Sequence, residues 1–266
     1  MKKAIILAAG VGKRLGNLTQ DIPKCLLPID SGKVLIDFSL EALRENNIVE
    51  VIFISGFAHE KLKSHIEKKW SDKFSIKFIF NEKYSDYNNI YSAYLAKDIW
   101  DDDTVLLNSD IIYHPLILKN LLSKSVELEK QEARNRKQEN HASSFLVIDN
   151  TKELTDEAMK VEIDNDDKIK KISKNLNSKI SFGEYIGITY LRSSARIKFL
   201  RSLEENVKAG KLDIYYEDAL AQVLNGISVF PSSTCGKVWT EVDTKEDYEI
   251  AKKIAQELNE SNKYSI

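Results

Sequence analysis

The residues best suited to chemistry stand where short apolar runs end. Lys3–Ala8 is followed at once by Ala9-Gly10-Val11-Gly12-Lys13-Arg14, and a further lysine, Lys24, lies between Pro23 and Pro28. Glycines let a backbone turn so that several N–H groups face one anion, and Lys13, Arg14 and Lys24 add positive charge within reach of a triphosphate. Taken alone, a glycine-rich turn after a strand is as readily a plain strand-to-helix connection. The stretch lacks the lysine–hydroxyl pair of a P-loop, and Leu15 takes the place of the third glycine in a dinucleotide fingerprint.

Two carboxylates far apart in sequence, Asp110 and Asp243, each close a strand-like run, LLNSD and WTEVD. Strand ends at one edge of a sheet converge, and two carboxylates suit a magnesium ion that keeps phosphate and water ligands. A strand-terminal aspartate is also a ready helix N-cap, and Asp243 precedes Thr244 and a helical pattern. A third group can serve an acceptor. Lys174, in an SKN turn, can hold a phosphate or phosphonate, or be one more surface lysine beside Lys168, Lys170 and Lys171. Glu184, Tyr185, Tyr215, Tyr216, Glu217 and Asp218 offer carboxylates and aromatic faces for an ammonium or quaternary amine. The tyrosines equally suit packing on a helix. Asn88, Asn89 and Ser92 carry amide and hydroxyl groups that can read a pyrimidine edge, although an asparagine at a helix start is often a cap. No Ser-His-Asp or Cys-His arrangement is visible. The histidines (His59, His65, His114 and His141) are scattered, and Cys25 and Cys235 show no metal-ligand spacing.

These residues need a scaffold. Lys3–Ala8, Val49–Ser55, Ile76–Phe80 and Thr104–Asn108 read as strands, and helical spacing over Leu35–Asn46, Glu60–Lys69 and Asn88–Lys97 separates them. Unalternating apolar runs suit strands covered on both faces, and the β, α alternation predicts a doubly wound, mixed and mostly parallel α/β sheet. Ligands then gather at the carboxyl ends of the strands. Pro115–Ser125 continues as a helix, and Glu127–Asn140 is a charge run expected to be a solvated helix end or loop. Beyond it lie a strand at Ser143–Asp149, a hairpin over Lys160–Ser173, a strand at Tyr185–Leu191, helices at Ser194–Lys208 and Glu217–Val223, short strands at Gly226–Phe230 and Lys237–Glu241, and a final helix at Lys245–Leu258.

The 266 residues suit a single domain, with 1–120 as a nucleotide-binding half, 124–142 as a charged insertion and 143–266 as an acceptor-binding, metal-completing half. Net charge is −2, with 42% hydrophobic and 30% charged residues, so nothing points to nucleic acid or membrane insertion. The expected setting is cytoplasmic with reduced thiols. A homodimer is one open oligomeric state.

AIILAAGVGKRL followed by DIPKCLLPI is similar to the signature of the nucleotidyltransferases that activate sugars and small phosphoalcohols: Leu7, Ala8, Ala9, Gly10, Gly12, Arg14, Leu15, Pro23 and Lys24 all match. Asn81–Ala96 resembles a segment of bacterial choline-phosphate cytidylyltransferases that replaces the glycine-rich base-contact segment of the sugar enzymes. ISKN, GEYIGI and YYEDAL resemble that branch and the phosphonate cytidylyltransferases, and WTEVDTKEDY resembles the closing metal motif. The resemblance implies a Rossmann-like, glycosyltransferase-A-like fold, with Mg²⁺ on Asp110 and Asp243. It implies nucleotide contacts from Leu7 through Arg14, Asn88, Asn89 and Ser92, catalytic roles for Arg14 and Lys24, and CTP with a phosphocholine-like or 2-aminoethylphosphonate-like acceptor. Lys13 departs from the family's usual small hydroxyl residue. Two other readings stand beside it: a sugar-1-phosphate nucleotidyltransferase using UTP, dTTP or GTP, and a catalytically silent nucleotide-binding regulatory subunit.

Overall fold

In a computed structural model, residues 3–101, 103–134 and 144–263 are described. The first half is built from β1 (Lys3–Ala8), β2 (Pro28–Asp30), β3 (Lys33–Val34), α1 (Leu35–Glu45), β4 (Glu50–Ser55), α2 (His59–Trp70), β5 (Ser75–Phe80), α3 (Asn89–Leu95), β6 (Thr104–Asn108), β7 (Ile111–Tyr113) and α4 (Pro115–Arg134). The second half holds β8 (Ser144–Asp149), β9 (Lys160–Ile163), β10 (Ile169–Ser173), β11 (Gly183–Tyr190), α5 (Ser193–Lys208), α6 (Tyr216–Ala221), β12 (Val229–Ser233), β13 (Trp239–Glu241) and α7 (Lys245–Lys263).

Among the described residues the main sheet runs β10-β9-β11-β6-β1-β4-β5, with β8 beside β11 and β12 beside β8. Strands β6, β1, β4 and β5 are all parallel. Strand β11 then joins antiparallel to β6. The chain therefore forms the expected mixed α/β sheet, wholly parallel across its N-terminal half. Strand β1 shows why that half is so apolar: Ala4, Ile6 and Ala8 enter the core under α1, α2 and α4, while Ile5 and Leu7 enter the core under α3, α5 and α6. Both faces are covered, so a two-sided apolar strand is the stable solution. A third core, including Leu15, Leu27, Phe38, Ile112 and Tyr248, seats α7 against the glycine-rich segment.

Most element boundaries lie close to the sequence reading; the small β2–β3 hairpin, helix α4 and strand β7 differ from it. Helix α4 runs through Arg134, so the charge run begins as helix, and residues 135–143 lie outside the described residues. The short strand β7 was not expected. It is only Ile111–Tyr113, too brief for an alternation to register, and it forms a separate two-stranded sheet with β13.

Candidate active site

That small sheet brings distant carboxylates together. Glu241 stands opposite Ile111 in the β7–β13 register. The Val242 N–H donates to the Asp110 carbonyl at 2.8 Å. Asp110 at the mouth of β7 and Glu241 and Asp243 at the end of β13 then lie side by side, with one carboxylate oxygen from each mutually within 4.8 Å. The helix-cap alternative for Asp243 is not what the fold uses. The Thr244 hydroxyl accepts from the Asp247 N–H, and the Asp247 carboxylate accepts from the Asp243 and Thr244 N–H groups. This capping box starts α7 and leaves the Asp243 carboxylate free for the site.

The cations of the first segment meet these carboxylates. The Lys24 ammonium is 2.7 Å from Asp110 and 2.6 Å from Asp243, and Arg14 is 2.6 Å from Asp243. Burial would lower the Lys24 pKa, but Asp110, Asp243 and Glu241 together hold it above the ordinary lysine value. Burial pushes the Asp243 pKa up, and Lys24 followed by Arg14 outweighs it, so the net direction is down. Among the described residues Glu241 forms no such close ion pair, although the Lys24 charge is felt there. The residue is exposed, but the atoms around its carboxylate desolvate it, Asp110 and Asp243 repel its charge, and its pKa is pushed above the carboxylate range. Among the described residues the buried Oδ1 of Asp110 has no hydrogen-bond partner. Three converging carboxylates, one oxygen orphaned and one carboxyl held up by its like-charged neighbours, are a donor set that fits a hard divalent cation.

Above this cluster opens a cavity of about 600 Å³. Leu7, Ala8, Ala9, Gly10, Val11, Gly12, Lys13, Arg14, Lys24, Asn88, Asn89, Ser92, Asp110, Tyr215 and Asp243 all line it. Gly12 has φ +69°, and a Cβ there would press on the Lys24 side chain at 3.2 Å. The Thr19 hydroxyl holds its carbonyl at 2.8 Å, fixing the turn. Opposite, α3 and the segment before α6 are braced. The Asn88 carboxamide oxygen accepts from the Asn89 N–H at 2.7 Å, and its NH₂ donates to the Asp213 carbonyl at 3.1 Å. Asn89 accepts from the Tyr216 N–H at 2.9 Å, and Ser92 accepts from Asn81 at 3.0 Å. Asn88 is thus the cap of α3 and still faces the cavity.

The acceptor-side expectations divide. Tyr185 and Tyr216 do not line the cavity. They are 4% and 0% exposed, and their hydroxyls bond each other at 2.8 Å inside the core. An aromatic ring on an inward strand position or helix face is worth more buried than displayed. Glu217 is likewise buried, with one oxygen unpartnered, and burial pushes its carboxyl up to about 7. Asp218 caps α6, accepting the Tyr215 N–H at 2.8 Å. Lys174 and Glu184 do not line the cavity but lie beside it. Lys174 stands 5.4 Å from the ring of Tyr215, and its charge is felt at both Asp243 and Glu184.

The sequence reading missed Glu241, Asn81 and Asn108. Glu241 had a usable signal, since Glu-Val-Asp at a strand end puts the two carboxylates on one face. Asn81 and Asn108 have no such signal, for a polar residue at a strand end is common everywhere.

The chain matches the nucleotidyl transferase family over residues 3–162. It belongs to that family. It is therefore an enzyme of the nucleotidyltransferase type, in keeping with the relatives it resembles. It is 26% identical over 260 residues to a choline-phosphate cytidylyltransferase of Streptococcus pneumoniae, covering 97% of this chain and 100% of that protein. It is 34% identical over 131 residues to a CTP:phosphoglutamine cytidylyltransferase of Campylobacter jejuni, covering 47% of this chain and 50% of that one. A solved CTP:phosphocholine cytidylyltransferase from Streptococcus pneumoniae superposes with TM-score 0.69 at 24% identity, over 96% of this chain and 100% of that one. An inositol-1-phosphate CTP transferase from T. maritima gives TM-score 0.71 at 21% identity, over 96% and 97%. At these identities the structural likeness shows the fold. Nucleotidyltransferases generally use a divalent metal, and the acidic cluster here could hold one. Among the described residues no helix is long and apolar enough to cross a membrane.

Proposed function

We propose that this nucleotidyltransferase transfers CMP from CTP to a small phosphate or phosphonate bearing an amino head group, releasing pyrophosphate. The observation that carries this reading is the meeting of Asp110, Glu241 and Asp243 with Lys24 and Arg14 at the floor of a cavity walled by the glycine turn. The cytidylyl preference and the acceptor class draw support from the relatives, whose names give cytidylyl transfer to choline phosphate, CTP with phosphoglutamine, and synthesis of a CMP-aminopropylphosphonate.

In this reading residues 1–120 take the nucleotide, and the second half completes the metal site and receives the acceptor within one domain. Backbone groups of Ala8 and Ala9, with the N–H that Asn88 keeps uncommitted, would read the pyrimidine edge. The glycine-turn backbone, Lys13 and Arg14 would hold the β- and γ-phosphates. A Mg²⁺ ion on Asp110, Glu241 and Asp243 would polarise the α-phosphoryl group and neutralise its charge. An acceptor phosphoryl oxygen then attacks the α-phosphorus, the α–β phosphoanhydride bond breaks, and the electron pair leaves with pyrophosphate. That oxygen is already anionic at neutral pH, so no general base and no covalent intermediate are needed. The work of the chain is to hold two anions in line against their repulsion. Lys24, released from its carboxylates when cation and triphosphate enter, would follow the charge on the transferring phosphoryl.

A matrix of CTP, UTP, dTTP and GTP against phosphocholine, phosphoethanolamine, 2-aminoethylphosphonate and glucose 1-phosphate, read as pyrophosphate, tests this. Metal-dependent release with CTP and an amino-bearing acceptor is the expected result. Release with a sugar phosphate and another nucleotide, or none at all, would refute it.

A further inference from the structure

Beside the carboxylate cluster lies a second group of charges that the transfer chemistry does not use. Lys152 covers the ring of Trp239, with its ammonium 4.1 Å from the ring centroid, and donates to the Trp239 carbonyl at 2.7 Å. The indole N–H of Trp239 is bonded to Asp149, which also accepts from Thr151. The ammonium of Lys174 lies 5.4 Å from the ring of Tyr215. Lys160 is 1% exposed and spends its three donors on the carbonyls of Asp156, Ala158 and Lys174, the last at 2.7 Å. It thereby fixes the turn that carries Lys174. Each ring bordering this corner already has a lysine ammonium near it: Lys152 over the buried Trp239, and Lys174 over Tyr215, which is 38% exposed at the cavity wall.

The corner holds one carboxylate that is not spent. The side chain of Glu184, half-buried on β11 opposite Asp149, makes no hydrogen bond and no close ion pair among the described residues. Lys152, Lys160 and Lys174 all lie within electrostatic reach of it, and burial holds its pKa above the usual value. Its three neighbouring lysines are balanced by Asp149, Glu157 and Glu184.

We propose that this corner selects an acceptor whose head is a primary ammonium donating hydrogen bonds to Glu184, and disfavours a quaternary ammonium, because Lys152 and Lys174 already set their positive charges against the two rings such a head would use. A trimethylammonium group has no N–H to give a carboxylate and depends on open π-faces for its attraction. A primary ammonium needs no aromatic face and forms charge-assisted hydrogen bonds to a carboxylate. The inference rests on the cytidylyl-transfer reading and chooses among the acceptors that reading allows.

The test is kcat/KM with saturating CTP for phosphoethanolamine, its N-methyl and N,N-dimethyl derivatives and phosphocholine, with 2-aminoethylphosphonate as the phosphonate arm. The expected result is a decline along the methylation series, about 10-fold or more by the quaternary compound, carried by KM. The E184Q variant should raise KM for phosphoethanolamine at least about 10-fold and flatten the series, with the KM for CTP unmoved. The K152A variant, which removes the side chain lying over the Trp239 ring, should improve phosphocholine relative to phosphoethanolamine by about 3-fold or more. Phosphocholine turned over as well as phosphoethanolamine by the unaltered enzyme overturns the inference while leaving cytidylyl transfer intact. So does an equal loss on both substrates in E184Q, which would make Glu184 a counter-ion of Lys160. No pyrophosphate from CTP with any acceptor overturns both.

Discussion

The Lys24 ammonium lies 2.6 Å from the Asp243 carboxylate, and the two residues come from opposite ends of the chain. Nothing local holds them together. Lys24 sits in a short turn after Pro23, and Asp243 is delivered by the pairing of β13 with β7. In the structure Lys24 occupies the position between Asp110 and Asp243, where a cation is electrostatically required. The contact therefore marks where positive charge is wanted before any nucleotide arrives. Replacing Lys24 by methionine should lower kcat by about 10²–10³-fold, as loss of a preorganised charge at a transferring phosphoryl does, with a smaller effect on the KM for CTP. Steady-state pyrophosphate kinetics check both numbers.

Glu241 contributes differently. It forms no close ion pair among the described residues, and desolvation together with the neighbouring charges of Asp110 and Asp243 pushes its pKa up. An entering divalent ion relieves that repulsion. The E241Q variant should need at least about 10-fold more Mg²⁺ for half-maximal rate while folding normally, because the amide removes one negative ligand without leaving a buried charge. A magnesium titration of the rate gives the comparison, with circular dichroism as the folding control.

Much of this site was legible before the fold was known. The glycine turn, Arg14, Lys24, Asp110 and Asp243 stand at ends of apolar runs, and a parallel sheet gathers strand ends on one edge. The parallel core strands were equally plain, because strands buried on two faces leave uninterrupted apolar runs. What stayed hidden depends on long-range contacts. Strand β7 is fixed by its partner β13 rather than by its own pattern, and Glu241 becomes a site residue only through that pairing. Tyr185 and Tyr216 look like ligand-facing aromatics in sequence, yet one packs from β11 and the other from α6 into a single core. Whether an aromatic ring faces inward is decided by the neighbour it meets.

Asp37 provides a stability test away from the site. It is fully buried at the start of α1 and accepts from His65, Lys69, Trp70 and the Val34 N–H. Burial would raise its pKa, but these hydrogen bonds lower it from 3.8 to about 2. A depressed folded-state pKa stabilises above the unfolded value, and that contribution is lost as pH falls from 3.8 through about 2. The D37N variant should be about 2 kcal/mol less stable than the unaltered protein at pH 7. The gap should close on acidification to pH ~2. Urea unfolding at both pH values measures it.

Glu217 runs the other way. Its carboxyl is raised from 4.5 to about 7 by burial, so ionisation costs stability as pH climbs from 4.5 through 7. The E217Q variant removes that cost. It should match the unaltered protein near pH 5 and exceed it by about 1–3 kcal/mol at pH 8. Equal stability differences at both pH values would contradict the assignment.

The central claim is that Asp110, Glu241 and Asp243 hold one divalent ion together with a nucleoside triphosphate. Electron paramagnetic resonance of Mn²⁺ titrated into the protein with CTP present tests it without any turnover. The account predicts one bound ion per chain in the unaltered protein, at least about 10-fold weaker binding in D110N and in D243N, and no such loss in D218N. Unchanged Mn²⁺ affinity in D110N and D243N would contradict it.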